Sequence, residues 1–398
     1  MVRSRGHWPA VALLLAMAAG VLALSEGRRP LAAGGRDRVA DGREIFRFDT
    51  FGDEQLWTDR LGLHRVIEDS LDPLTALELG LKVDVDALPD AVRDAILNGE
   101  VDLTDPAVTV ALIGLDAVVG VVGTVERVDG RDRLTRVGIT CALCHSTVDD
   151  SFLPGIGRRL DGWPNLDLDP GRIIAASPAV GEAEREVYLS WGPGKYDPRF
   201  NIDGLSTPLV IPPAYGLAGV NKETYTAEGP ISYWNKYVAV TQMGGRGTFV
   251  DPRLGIKIVH APDLVQRKLG PLRDYQFSLE PPPPPPDSFD PVAAERGEAV
   301  FRGAARCASC HIPPLYTDIN RGRLHDPEET GMDPAYAERT NTGKYRTTPL
   351  RALWQHPPYF HDGSAATLLD VVEHYDRHLG LDLTEDQKLD LVEFLKSI

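Results

Sequence analysis

The chain has 398 residues, with 42 Lys or Arg against 58 Asp or Glu and a formal net charge of −16. So acidic a surface repels phosphates and excludes nucleic acid as a partner, while it can steer a basic protein partner. The length allows two domains with separate cores.

Arg3 and Arg5 precede an apolar run from Trp8 to Leu24, with small residues at Ala23 and Ser25. This is the pattern of an export signal over residues 1–25, or of an N-terminal anchor if it is not cleaved. The mature chain is therefore expected to be periplasmic or secreted, meeting a membrane only through an uncleaved segment. Next, Asp72-Pro73 opens a helix predicted over Leu74–Leu81, and a second is predicted over Leu88–Leu97, closed by Asn98-Gly99. The apolar run from Ala107 to Val125 is broken by Asp116 and by Gly114, Gly120 and Gly123, so it reads as buried helix and turn rather than a membrane span.

All four cysteines then fall in two copies of one pentapeptide, Cys141-Ala-Leu-Cys144-His145 and Cys307-Ala-Ser-Cys310-His311. Two thiols three positions apart can add to the two vinyl groups of one porphyrin, while the next residue turns its imidazole onto the iron. The pattern predicts two covalently bound haem c groups, with His145 and His311 as iron ligands. A redox disulfide or a four-thiolate zinc site would explain neither histidine. Haem attachment outside the cytoplasmic membrane also agrees with export.

Between Ser146 and Pro230, recurrent proline and glycine predict long ordered loops that wall in the first haem. Pro281–Pro286 is an unbroken proline run, expected as a stiff polyproline II spacer. It divides the chain into an N-terminal haem domain, 26–278, a linker, 279–288, and a C-terminal domain, 289–398, of the size of one cytochrome c. A haem with two strong protein ligands carries electrons, whereas one with an open side binds peroxide or dioxygen. Before the proline run the strong candidates for a sixth ligand are His64, Met243 and His260. Spacing favours none of them, and the first haem is expected to be open.

After the run, Pro291–Phe301 is predicted helical with Gly297 and Phe301 on one face, crossing a last helix, Thr384–Ser397, at its apolar positions Leu389, Leu391, Val392 and Leu395. In the helix from Thr367, the apolar face is Leu368, Val371, Val372, Tyr375 and Leu379. That face points Tyr375 inward as a core residue or an iron ligand, and sets His374 beside Asp370, Arg377 and His378. His374 would be the ligand if the helix were rotated.

The stretches Tyr345-Arg-Thr-Thr-Pro349-Leu350-Arg351, Pro358-Tyr359-Phe360-His361-Asp362-Gly363 and Thr367-Leu368 resemble the C-terminal signature of the bacterial diheme cytochrome c peroxidase and MauG family. Counting from the His-Asp-Gly motif, Tyr375 falls where that family's peroxidases carry an axial methionine and MauG-type enzymes an axial tyrosine. The resemblance implies a mainly α fold of two cytochrome c-like haem domains, the first enlarged by long loops and joined to the second by the polyproline linker. It implies that the first haem faces peroxide and the second transfers electrons, with a tryptophan between them. Trp234 is the candidate and Trp191 the second choice. The segment from Ser232 to Phe249 is also similar to the distal region of diheme rubber oxygenases, with Trp234 and Phe249 in matching positions, and Gln242 is a loose match to the distal glutamine of MauG-type enzymes.

The chain departs from the family in lacking its Gly-Pro-Met-type segment with a catalytic glutamate. The threonine–proline spacing before Leu350-Arg351 is also altered, which weakens the interhaem calcium site that the resemblance would bring. The implied activity is reduction of hydrogen peroxide with electrons from a donor protein such as a small cytochrome or a copper protein. The alternatives are a dioxygenase that cleaves a hydrophobic substrate with dioxygen, and a pure electron carrier.

Overall fold

A computed structural model describes residues 37–398, so the segment expected to be an export signal lies outside the described residues. Helices dominate, and the sheets among the described residues are two-stranded ladders. Among these residues no helix is long and apolar enough to cross a membrane. The chain resolves into two compact units. The first takes the described residues up to Lys195 together with Ala239–Gly247 and His260–Tyr275, and the second takes Tyr196–Val238, Thr248–Val259 and Gln276–Ile398. Two stretches from before the proline run, 196–238 and 248–259, thus cluster with the C-terminal region.

In the first unit, helix α1 (Arg38–Phe48) starts where the Asp37 side chain accepts from Val39 N–H, and buries Ile45 and Phe46. The Phe46 ring meets that of Tyr275 edge-on at 5.5 Å. Helices α2 (Leu63–Ser70), α3 (Pro73–Glu78), α4 (Asp90–Leu97) and α5 (Pro106–Gly114) follow. Asp72 and Asp105 cap α3 and α5, each ahead of a proline at the first helical position. In α5 every residue from Val108 to Ile113 is buried, as a helix apolar all round must be.

The expectation of helix and turn across Ala107–Val125 holds as far as Gly120, with the helix ending at Gly114 and turns following it. From Val121 the chain is strand β1 (Val121–Val128), paired antiparallel with β2 (Arg131–Ile139) in a register running from Val121↔Ile139 to Val128↔Arg131. Valines dense in β-branched side chains favour strand, and Asp129-Gly130, both with positive φ, is the hairpin turn that sequence reasoning passed over. The end of β2 delivers the first cysteine motif, in which Ala142–His145 forms the short helix α6. Gly120, at φ 76°, lies so close that a Cβ there would come within 2.1 Å of Leu143 N.

The second unit is built on two crossing helices, α8 (Pro291–Arg302) and α10 (Glu385–Ser397), with α7 (Ile231–Tyr237) earlier in the chain and α9 (Leu368–Leu379) between them. A Cβ on Gly297 would lie 2.0 Å from Asp390 O, so only glycine permits the crossing. Phe301, Leu391, Phe394 and Leu395 fill the core. Leu389, expected inside, is 55% exposed, and Phe394 takes the inward position. Leu391, Phe394 and Leu395 follow the three-four spacing of one helical face, while Leu389 sits about 200° round from Leu391. Both α9 and α10 begin with capping boxes, Thr367 with Asp370 and Thr384 with Gln387.

Candidate haem sites

The second motif follows α8 as a single tight turn. Cys310 N–H and His311 N–H both donate to Cys307 O, at 3.2 and 2.9 Å, which keeps the two thiols and the imidazole on one wall. His311 Nδ1 lies 3.0 Å from Tyr316 O. Donation there fixes the proton on Nδ1 and leaves Nε2 with a free lone pair, the form in which imidazole binds iron. Burial also holds His311 below its ordinary pKa.

That wall belongs to a cavity of about 590 Å³, within the range of ligand sites. Cys307, Cys310 and His311 line it, as do Leu368, Val372 and Tyr375 from α9. Burial pushes the Tyr375 hydroxyl well above its usual range. His374 is not among the lining residues. Its Nε2 donates instead to Thr330 O at 2.8 Å, which holds the ring against the Pro327–Thr330 turn. Of the two alternatives on this helix, the geometry brings Tyr375 to the cavity.

Sequence reasoning gave no role to three polar residues that line the same cavity. Arg346 donates through Nη2 to Glu223 O at 2.9 Å, but its Nε and Nη1 are buried without a partner, and burial pushes the guanidinium down to about 10. His356 also lines the cavity, held below its ordinary pKa by burial. His361 pairs with Tyr345, the phenol oxygen 3.0 Å from Nε2 and the rings 4.5 Å apart. No motif singles out Arg346; its only sign is a charge in the middle of a signature otherwise read for its prolines. Two thiols, an imidazole, largely apolar walls and an orphaned guanidinium able to pair a propionate fit haem c. Asp318, His325 and Cys310 each bring one donor atom within 4.8 Å of the others. Were Cys310 to form a thioether, two ligands would remain, too few for a structural metal.

Around the first motif the donor set is the same. Burial pushes the Cys141 and Cys144 thiols up to about 12. Gly162 N–H donates to His145 O at 2.8 Å, and Asn165 N–H to Cys144 O at 2.9 Å, clamping the motif's backbone. Directly after His145, Ser146–Val148 pairs with Arg159–Asp161. Arg159 donates through Nε to Asp84 at 3.0 Å, while its Nη1 is buried without a partner. The Arg159 charge is thus met by Asp84, and only one edge of its guanidinium is left without a partner.

The other expected site residues divide between the units. Gln242 lies in the first, buried in a π-helical turn, Val238–Gln242, with its Nε2 2.8 Å from Thr241 Oγ1. Such turns recur at functional sites. Trp234 and Phe249 lie in the second unit and are joined through Tyr237: Trp234 stacks on it at 5.2 Å, and Phe249, 2% exposed, meets it edge-on at 5.3 Å. The Arg199 guanidinium, ion-paired to Glu228, sits 5.5 Å above the Tyr237 ring.

In the first unit Trp191 meets Tyr188 edge-on at 5.0 Å, and Met243 is buried with its carbonyl accepting from Trp57 Nε1. Burial lowers the pKa of His64, whose Nδ1 is buried without a partner, and His260 belongs to the same unit. One further acid escaped the sequence reading. Asp53 is fully buried, accepts from Ile139 N–H through Oδ2, leaves Oδ1 unpaired and is pushed by burial up to about 9. That shift favours the protonated acid at neutral pH, and its partner Ile139 is the last residue of β2, two residues before Cys141.

No family model matches the chain. Among curated proteins it is 30% identical over 129 residues to the methylamine utilization protein MauG of Methylorubrum extorquens, covering 26% of this chain and 34% of that protein. It is 30% identical over 149 residues to a cytochrome-c peroxidase of Denitromonas iodatirespirans, covering 26% and 40%, and 32% identical over 111 residues to the cytochrome c551 peroxidase of Nitrosomonas europaea, covering 26% and 33%. The match thus spans two fifths or less of the length of these relatives. A solved MauG-like protein associated with microbial copper homeostasis overlaps 48% of this chain and 74% of its own at 21% identity and a TM-score of 0.35, too loosely to carry an argument.

Proposed function

The chain is a relative of MauG and of the diheme cytochrome c peroxidases, and on that premise we propose that it is an exported two-haem oxidoreductase that reduces hydrogen peroxide. The observation that carries this reading is the 590 Å³ cavity lined by Cys307, Cys310, His311 and Tyr375, with the orphaned Arg346 beside it. When bound, the haems supply the redox chemistry, in which peroxide takes up two electrons and two protons and leaves as two waters.

The chain's own residues do the rest. Cys141 and Cys144, and Cys307 and Cys310, hold the groups through thioethers; His145 and His311 ligate them. The Tyr316 carbonyl orients the His311 ring, and Arg346 would pair with a carboxylate of the group held there. Tyr375 would be the second protein ligand for the group held at Cys307, Cys310 and His311, suiting that site to storing an electron, and the first site would be the one that admits peroxide. Gln242 orients peroxide there, and Trp234, backed by Tyr237 and Phe249, relays charge. A small cytochrome or copper protein serves as donor, drawn to the acidic surface. Pro281–Pro286 is the stiff tether ahead of the C-terminal haem domain.

The test is peroxide consumption by the reduced, haem-loaded protein. The protein should lose two electron equivalents per peroxide, and His145→Gly should abolish the reaction while leaving the second haem attached. Failure of the parent protein to be oxidised by peroxide would reject the reading. Stable dioxygen binding would favour instead the dioxygenase alternative, which the apolar packing of Phe249 between Tyr233 and Tyr237 supports.

A further inference from the structure

Within the first unit, α2, α3, α5 and the β1–β2 hairpin enclose a cavity of about 120 Å³. Protein interiors pack densely, with few voids larger than a water molecule. Here the walls are leucine, isoleucine, valine, alanine and proline, with two exceptions. Trp57 presents its ring, its Nε1 being engaged with Met243 O, and Thr109 is a buried hydroxyl residue whose Oγ1 has no partner. Water in a cavity needs two to four polar partners, and this wall offers one at most. An apolar occupant needs none. A cavity of about 150 Å³ with a comparable lining stays dry and takes up benzene or xenon.

The cavity's position adds to its interest. Leu143, between the two cysteines of the first motif, and Ile139, at the end of the strand that delivers it, both form part of the wall. On the outer side Val66, Ile67 and Leu71 are only half-buried, so an occupant has a short way in from solvent past α2.

We propose that this cavity is a binding site for a neutral, apolar molecule no larger than about one six-membered ring, set against the first Cys-x-x-Cys-His turn. The site requires neither peroxide nor electron transfer, so it stands or falls separately from the peroxidase reading. Its ligands are a small arene, a short hydrocarbon or an apolar gas, recognised by shape and by transfer from water alone.

The test uses the haem-loaded full chain, with xenon followed by xenon NMR and benzene followed by thermal denaturation. A saturable xenon shift and a melting temperature that rises with benzene concentration are expected. Ala76→Leu and Thr109→Ile, which fill the cavity from two different helices, should each weaken xenon binding about tenfold or more. Leu97→Ala, on the exposed side of α4, should leave it unchanged. If the filling variants do not fold, the parent's xenon titration alone decides. A linear, non-saturable xenon shift would overturn the proposal, as would filling variants that bind as the parent does.

Discussion

Gly297→Ala puts a methyl group where the structure has no room. The new Cβ would lie 2.0 Å from Asp390 O, 2.6 Å from Asp390 C and 2.8 Å from Phe394 Cβ. Carbon contacts are comfortable at about 3.5–4.0 Å, so α8 and α10 would have to part by an ångström or more. Overpacking of this kind costs about 1–3 kcal/mol, against which the better helix propensity of alanine returns about 1 kcal/mol. Contacts this short to backbone atoms place the cost at the upper end of that range, so the net loss should be about 2 kcal/mol, and the bulkier Gly297→Val should lose more.

For a unit of this size each kcal/mol moves the melting temperature by about 2–4 °C. Thermal and urea denaturation of the parent and both variants would measure it, with Leu389→Ala as the control because that residue is 55% exposed. The control should stay within about 0.5 kcal/mol of the parent. A Gly297→Ala protein as stable as the parent would refute the close crossing and, with it, the placement of Phe301 and Phe394 in the core.

Asp53, pushed up to about 9 when folded, binds a proton that the unfolded chain releases at acidic pH, so it makes stability fall as pH rises from about 4 towards 9. Asp53→Asn should therefore match the parent in urea melts at pH 4 and exceed it increasingly towards pH 8.5. Cys141→Ser with Cys144→Ser, or Cys307→Ser with Cys310→Ser, should each halve the covalently retained haem, as read by mass and by haem stain after denaturation. Tyr375→Phe should change the axial-ligand signature of one haem in electron spin resonance, whereas His374→Ala, which loses the bond to Thr330 O, should leave that signature in place.

Much of this was legible because the relevant signals are local. A Cys-x-x-Cys-His turn carries its chemistry in five residues, and a glycine and a phenylalanine one turn apart mark a helix crossing. The three-four spacing of α9 was enough to aim Tyr375 at the cavity and His374 away from it. Leu389 was misplaced by the same method because an apolar residue one step off the stripe looks equivalent in a list but lies on the far side of the helix.

Arg346 and Asp53 could not be found locally. Their significance comes from burial without a partner, a property conferred by residues distant in sequence, such as Glu223 for Arg346 and Ile139 for Asp53. The clustering of 196–238 with the C-terminal region was equally hidden. It rests on long-range bonds such as those of Arg339 to Asp197 and of Val210 N–H to His361 O.

The central claim is that two identical motifs hold haems with different axial sides, one closed by Tyr375 and one open to peroxide. Low-temperature electron spin resonance of the oxidised, haem-loaded protein, before and after one equivalent of peroxide, tests it most directly. One high-spin signal that is lost on peroxide addition, beside a second signal altered by Tyr375→Phe, is the predicted result. Two low-spin signals indifferent to peroxide would contradict it and leave an electron carrier in its place.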